Sequence, residues 1–197
     1  ERKGPSAHVR DLEGRRVKYP LMMRQSESAL SQIREPHLYP ELTALRLEMN
    51  NWRFFHHFPT DSTAAARSPL ASVQTPLLSA DGRDLAASIH VPWMQRPLNA
   101  RELSDGTLRY LYLLAALLSP RPPGLIALNE PEMSLHPDVI DPLGRLIAAA
   151  AKESQLWIVT HSEKLAESIA HHTGCQATRL KLENGETKLD VDEDEED

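Results

Sequence analysis

Three short stretches of this chain carry residue types that could act on a phosphoryl group. In Leu103-Ser104-Asp105-Gly106-Thr107 a serine and a glycine stand immediately before a run of apolar residues. A helix starting there exposes unpaired backbone N–H groups and the positive end of its dipole, which can face a phosphate without a basic side chain. Gly106 permits close backbone approach; the plainer reading is a core helix capped by Ser104. The apolar run Leu125 to Leu128 leads into Asn129 and Glu130. A carboxylate just past a buried strand lies at the sheet edge where open α/β folds bind ligands, and it could orient and deprotonate a water; its plainer role is a loop acid beside Pro131. A second apolar run, Leu156 to Thr160, leads into His161 and Ser162. A lone histidine is more often structural, but one ending a strand beside the other two stretches points to the same chemistry.

These residues need rigid elements to hold them. From Thr107 the stretch Leu108 to Leu118 is apolar on nearly every face, which predicts a buried helix ended by Pro120 and Pro122. A strand at Leu125–Leu128, a helix at Asp138–Lys152, a strand at Leu156–Thr160 and a helix at Glu163–His171 follow. Apolar strands without alternation, separated by helices, predict a parallel sheet covered on both faces. Thr178–Leu182 and Thr187–Val191 flank Asn184-Gly185, a hairpin turn signal. Upstream, residues 1–24 show alternating stretches around Gly14, Ser26–Ile33 and Glu41–Met49 carry helical spacing, and Asn51–Phe58 suggests a strand. Pro59–Pro76 is polar loop, and Asp84–Ile89 suggests a helix that stops before Val91-Pro92-Trp93.

The order and spacing of the three stretches resemble the ABC-type and SMC-like ATPases, in particular their bacterial RecF-like, AAA-type members. The likeness is strongest from Arg101 to about Ile169. The resemblance implies an α/β, P-loop NTPase-like (ABC-type) fold: a parallel sheet flanked by helices, with peripheral antiparallel strands. It implies that Ser104, Asp105, Gly106 and Thr107 form the signature turn, which contacts the γ-phosphate of ATP held by a second protomer. Leu125 to Glu130 then match Walker B, with Glu130 as general base, and His161 matches the switch histidine that senses the γ-phosphate. Ser134, Leu135 and His136 fall where protomers meet. ATP and Mg2+ are the implied cofactors, and a homodimer sandwiching the nucleotide is the implied assembly, with DNA or a partner protein as further partners. The implied processes are DNA repair, chromosome maintenance or phage defence.

Departures from that pattern are informative. Asp105 replaces a common glycine and Thr107 a common glutamine. Asn129 stands where most relatives carry an acid that holds magnesium through its water shell, so metal affinity and turnover are expected to be reduced. The best match to the family's metal-reaching glutamine is Gln25, with Gln32 second. A phosphate-cradling Gly-x-x-x-x-Gly-Lys-Ser/Thr loop is not found, since none of the eight glycines precedes a lysine; in the resembling proteins it lies amino-terminal to all these motifs. The expected organisation is a proximal lobe at 1–90, a part carrying the three motifs at 91–182, a terminal hairpin strand at 183–191 and an acidic tail at 192–197. The family's longer insertion is shortened or missing near 90/91.

Composition narrows the alternatives. No apolar run approaches the roughly 20 residues that span a bilayer, no signal-peptide pattern is evident, and the single cysteine, Cys175, reads as a packing residue; a cytoplasmic protein is expected. The net charge of -6 is carried by Asp192 to Asp197, without which acids and bases balance at 22 each. That tail reads as solvated chain, with a metal site on Asp190 and Asp192 as the minor alternative. The basic residues Arg2, Lys3, Arg10, Arg15, Arg16, Lys18 and Arg24 could face nucleic acid, although a solvated surface is the plainer reading. The pairs His56-His57 and His171-His172 read as surface or packing residues. Besides hydrolysis, two other classes are open: a nucleotide-gated dimerisation or binding module with little turnover, favoured by Asn129, and an ATPase fused to a Toprim-type nuclease, for which only the acidic tail offers carboxylates.

Overall fold

The computed structural model describes residues 2–11, 13–67, 77–79, 81–85 and 103–190. Most of the Asp84–Ile89 stretch, the 90/91 junction and the acidic tail lie outside the described residues. The contacts gather the chain into two compact units, Glu1–Trp52 and Arg53–Asp197. The division falls ahead of the 90/91 boundary expected from sequence, because the strand after Trp52 pairs into the second unit's sheet.

The first unit holds three antiparallel strands, β1 (Arg2–Lys3), β2 (Ser6–Arg10) and β3 (Arg16–Lys18), in that order, where a strand pair was expected. Two helices follow, α1 (Ala29–Gln32) and α2 (Pro40–Asn50). α1 is shorter than the Ser26–Ile33 spacing suggested, because Ser28 caps it by accepting from the Ser31 N–H. Ala7, Tyr19, Met23, Ile33 and Tyr39 form its core.

The second unit is built on a parallel sheet of β4 (Arg53–Phe55), β5 (Leu125–Asn129) and β6 (Gln155–Val159), with β5 in the middle. The register sets Phe55 opposite Leu128 and Asn129 opposite Val159, so the carboxyl ends of β5 and β6 lie side by side. Helices α3 (Asp105–Leu117), α4 (Ile140–Ala150) and α5 (Glu163–Thr173) supply Leu108, Tyr112, Leu113, Leu143, Ile147 and Leu165 to one core with Phe55, Ile126 and Leu128. α4 starts two residues later than Asp138, because a 3-10 turn at Pro137–Val139 precedes it. The approach of α4 and α5 is set by Gly144, where an added Cβ would overlap the Ser168 hydroxyl.

Burial along the strands differs from the expectation of a sheet covered on both faces. Ile126 and Leu128 are buried while Phe54, Trp157 and Val159 are largely exposed, so among the described residues the apolar strands alternate after all. A two-stranded hairpin, β7 (Leu180–Glu183) and β8 (Glu186–Leu189), turns at Asn184-Gly185, both with positive φ as the dipeptide requires. No helix among the described residues is long and apolar enough to cross a membrane.

Candidate functional site

The site begins with the turn that opens α3. Ser104 is its N-cap: its Oγ accepts from the Thr107 N–H at 3.1 Å and lies 2.8 Å from the Thr107 hydroxyl. The cap role weighed against the functional one is thus filled, yet the residue stays exposed at the positive end of a thirteen-residue helix. Asp105 has a partner that explains an acid in this turn. Arg67, whose side chain is mostly buried, meets its carboxylate at 2.7 Å and donates to the Leu103 carbonyl at 2.9 Å. Gly106 is needed for packing, since a Cβ there would lie 2.7 Å from the Ser134 carbonyl oxygen.

The turn after β5 runs beside it. Glu130 has φ of 45°, a left-handed conformation unusual for a non-glycine residue, and its N–H donates to the Val159 carbonyl at 2.8 Å. Pro131 is fully buried behind it. Strain at such a position persists only where its surroundings over-determine it, and it concentrates at functional sites. The Glu130 carboxylate stands 3.6 Å from His161 Nε2, so the turns after β5 and β6 bring these two side chains together. His161 is 86% exposed and Glu130 36%, which leaves both open to a ligand arriving at the sheet's carboxyl rim. Asn129 ends β5 with its side chain exposed.

Beneath this surface lies a partly buried set of polar contacts that sequence reasoning missed. Arg109, on α3, is 3% exposed, and its Nη2 donates to the Glu130 carbonyl at 2.8 Å. Burial pushes its pKa down, while the charges of Glu132 and Glu130 oppose that shift. Glu132 Oε1 accepts from the Thr160 hydroxyl at 2.5 Å, and Thr160 Oγ1 accepts from the Ser162 N–H at 2.9 Å, which fixes the backbone around His161. A signal was available: Arg109 is a charge inside a helix otherwise apolar on nearly every face, and such a residue is buried only with partners.

The other expected residues have varied surroundings. Ser134 is exposed with φ of 65°, Leu135 packs partly against the core, and His136 caps the 3-10 turn by accepting from the Asp138 N–H at 3.3 Å. Gln25 is an exposed residue of the first unit. Gln32 uses its amide locally, accepting from the Arg24 N–H at 2.9 Å and donating to the Arg24 carbonyl at 3.0 Å, which occupies the second candidate. Cys175 is exposed, contrary to its expected packing role. Among the described residues, no three His, Cys, Asp or Glu side chains are grouped to hold a metal. The side-chain oxygens of Asn129 and Glu130, at the end of β5, are of the kind magnesium takes alongside its own waters.

A parallel sheet with flanking helices, a helix N-terminus and strand-end polar residues at one rim defines an α/β fold of the P-loop NTPase-like, AAA type. Residues 23–167 match the family described as "AAA domain, putative AbiEii toxin, Type IV TA system", and the chain belongs to that family. No curated protein and no solved structure matches it. AAA domains are nucleotide-binding ATPase domains, and they generally bind nucleotide with Mg2+.

Proposed function

We propose that this domain binds ATP with magnesium and hydrolyses it as one head of an ABC/SMC-like pair, two copies closing around the nucleotide. The observation that carries the reading is the 3.6 Å approach of Glu130 and His161 at the ends of neighbouring parallel strands. In this mechanism Glu130 takes a proton from a water, whose oxygen forms a bond to the γ-phosphorus. The bond from that phosphorus to the β,γ-bridging oxygen breaks, and the electron pair leaves with ADP. His161 donates a hydrogen bond to the γ-phosphoryl oxygens and holds the water in line. The Ser104 and Thr107 hydroxyls and the backbone N–H at Gly106 offer donors to the γ-phosphate of the partner's nucleotide, with Asp105 anchored by Arg67. Ser134, Leu135 and His136 line the surface between protomers. Asn129 would hold magnesium through its water shell, and the bound ion would neutralise phosphate charge.

Asn129 favours a second reading, in which ATP drives association with DNA or a protein partner while hydrolysis is slow. Phosphate release and oligomeric state of the full-length protein, measured with and without ATP and magnesium, separate the two. Steady release that falls at least a hundredfold in Glu130→Gln supports the enzyme. ATP-driven dimerisation with negligible release supports the gated module. Absence of nucleotide binding refutes both.

A further inference from the structure

Arg109 is a buried cation and Glu132, half-buried, is near enough for its charge to act on it, an arrangement poorly built for stability. Taking charged atoms out of water is costly, and Arg109 Nε and Glu132 Oε2 are buried without a hydrogen-bond partner among the described residues. Buried unsatisfied polar atoms are rare enough in folded proteins to need a reason. What the pair achieves is connection. On one side Arg109 donates to the carbonyl of Glu130, the residue held at φ of 45°. On the other, Glu132 receives the hydroxyl of Thr160, which in turn receives the N–H of Ser162. The helix opened by the Ser104 turn is thereby tied to the turn that carries Glu130 and, through Glu132, to the turn that carries His161.

We propose that Arg109 is a positioning residue: by gripping the Glu130 carbonyl it keeps that strained backbone in place and aims the carboxylate at the water beside His161, with Glu132 and Thr160 holding the second turn in register. This rests on the reading of Glu130 as general base. The one hydrogen bond the buried guanidinium makes among the described residues goes to a main-chain oxygen on a strained residue, while its Nε is left without a partner. A displacement of about 1 Å in a catalytic group is enough to lower turnover by about a hundredfold without weakening ground-state binding. Arg109 therefore acts on kcat and leaves nucleotide affinity alone.

The test uses the full-length protein and compares wild type, Arg109→Lys, and the double variant Arg109→Met with Glu132→Gln, which removes the buried Arg109 charge together with the opposite charge near it. Thermal melting reports folding, binding of a fluorescent ATP analogue reports Kd, and phosphate release reports kcat. Arg109→Lys keeps the buried charge but replaces a planar fork with a point donor. It is expected to lower kcat about tenfold with Kd within threefold of wild type. The double variant is expected to lower kcat about a hundredfold with Kd again unchanged. Wild-type kcat in Arg109→Lys, or a parallel loss of affinity and turnover in the folded variants, overturns the positioning role while leaving the ATPase reading intact. A wild-type protein that releases no phosphate overturns the ATPase reading and the positioning role with it.

Discussion

Replacing Gly106 by alanine sets two effects of opposite sign against each other. Gly106 is the second residue of α3 and has no positive φ, so helix propensity alone favours alanine by about 1 kcal/mol. Against this, the new Cβ would lie 2.7 Å from the Ser134 carbonyl oxygen, well inside van der Waals contact. The neighbour is main chain, and it belongs to a residue with φ of 65° between buried Pro131 and half-buried Leu135. A carbonyl in that setting cannot rotate aside as a flexible side chain would. Overpacking of this kind costs about 1 to 3 kcal/mol.

The clash wins. The expected net loss for Gly106→Ala is about 1 kcal/mol, which lowers the melting temperature by about 2 to 4 °C in a chain of this size. Calorimetry of wild type and variant measures that shift directly. Amide chemical shifts locate it, with the largest changes expected at Ser134 and Leu135 and smaller ones through Ser104 and Thr107. Because the turn that would meet a partner's phosphate moves with them, ATP-dependent association should weaken in parallel. A variant that melts at or above the wild-type temperature, with the Ser134 amide unmoved, would refute the packing argument. Propensity would then have decided the outcome.

Two further expectations follow from the same coordinates. Tyr112 is fully buried, stacks on Phe58 at 4.9 Å between ring centroids and donates to the Pro59 carbonyl at 3.3 Å, and burial pushes its phenol up to about 12. The folded protein therefore keeps a proton that the unfolded chain releases near pH 10, so this contribution to stability is complete below pH 10. It is lost as pH rises through about 12, about 3 kcal/mol in all. Tyr112→Phe should flatten the fall in stability over that range, and an unchanged alkaline unfolding curve would contradict it. Asn129→Asp adds a charge at the end of β5 beside Glu130; in the full-length protein it should lower the magnesium concentration for half-maximal phosphate release by about tenfold, equivalent to about 1.4 kcal/mol. An unchanged magnesium dependence would remove Asn129 from the metal's surroundings.

What could be read from the letters is what local physics decides. Ser104 sits where a helix needs a side-chain acceptor for its first free N–H groups, and it caps α3 as that position suggests. Asn184-Gly185 requires two left-handed residues, and β7 and β8 meet there. The strand ends of β5 and β6 follow from apolar runs that stop at polar residues, so Glu130 and His161 were visible as candidates before any geometry. What escaped was whatever depends on residues distant in sequence. Alternation along β6 was hidden because its outward positions carry Trp157 and Val159, apolar residues that periodicity cannot assign to a face. Arg67 gave no local sign that it would reach Asp105, 38 positions away. Arg109 could be marked as anomalous, but not matched to its partners. The site's visible surface was thus written in single motifs, whereas the contacts that hold the motifs in register join α3 to two separate turns. Sequence-only reasoning is strongest at caps, turns and strand ends, and it is weakest at buried polar links such as Arg109 to Glu130, where a guanidinium must meet a carbonyl from a distant stretch of chain.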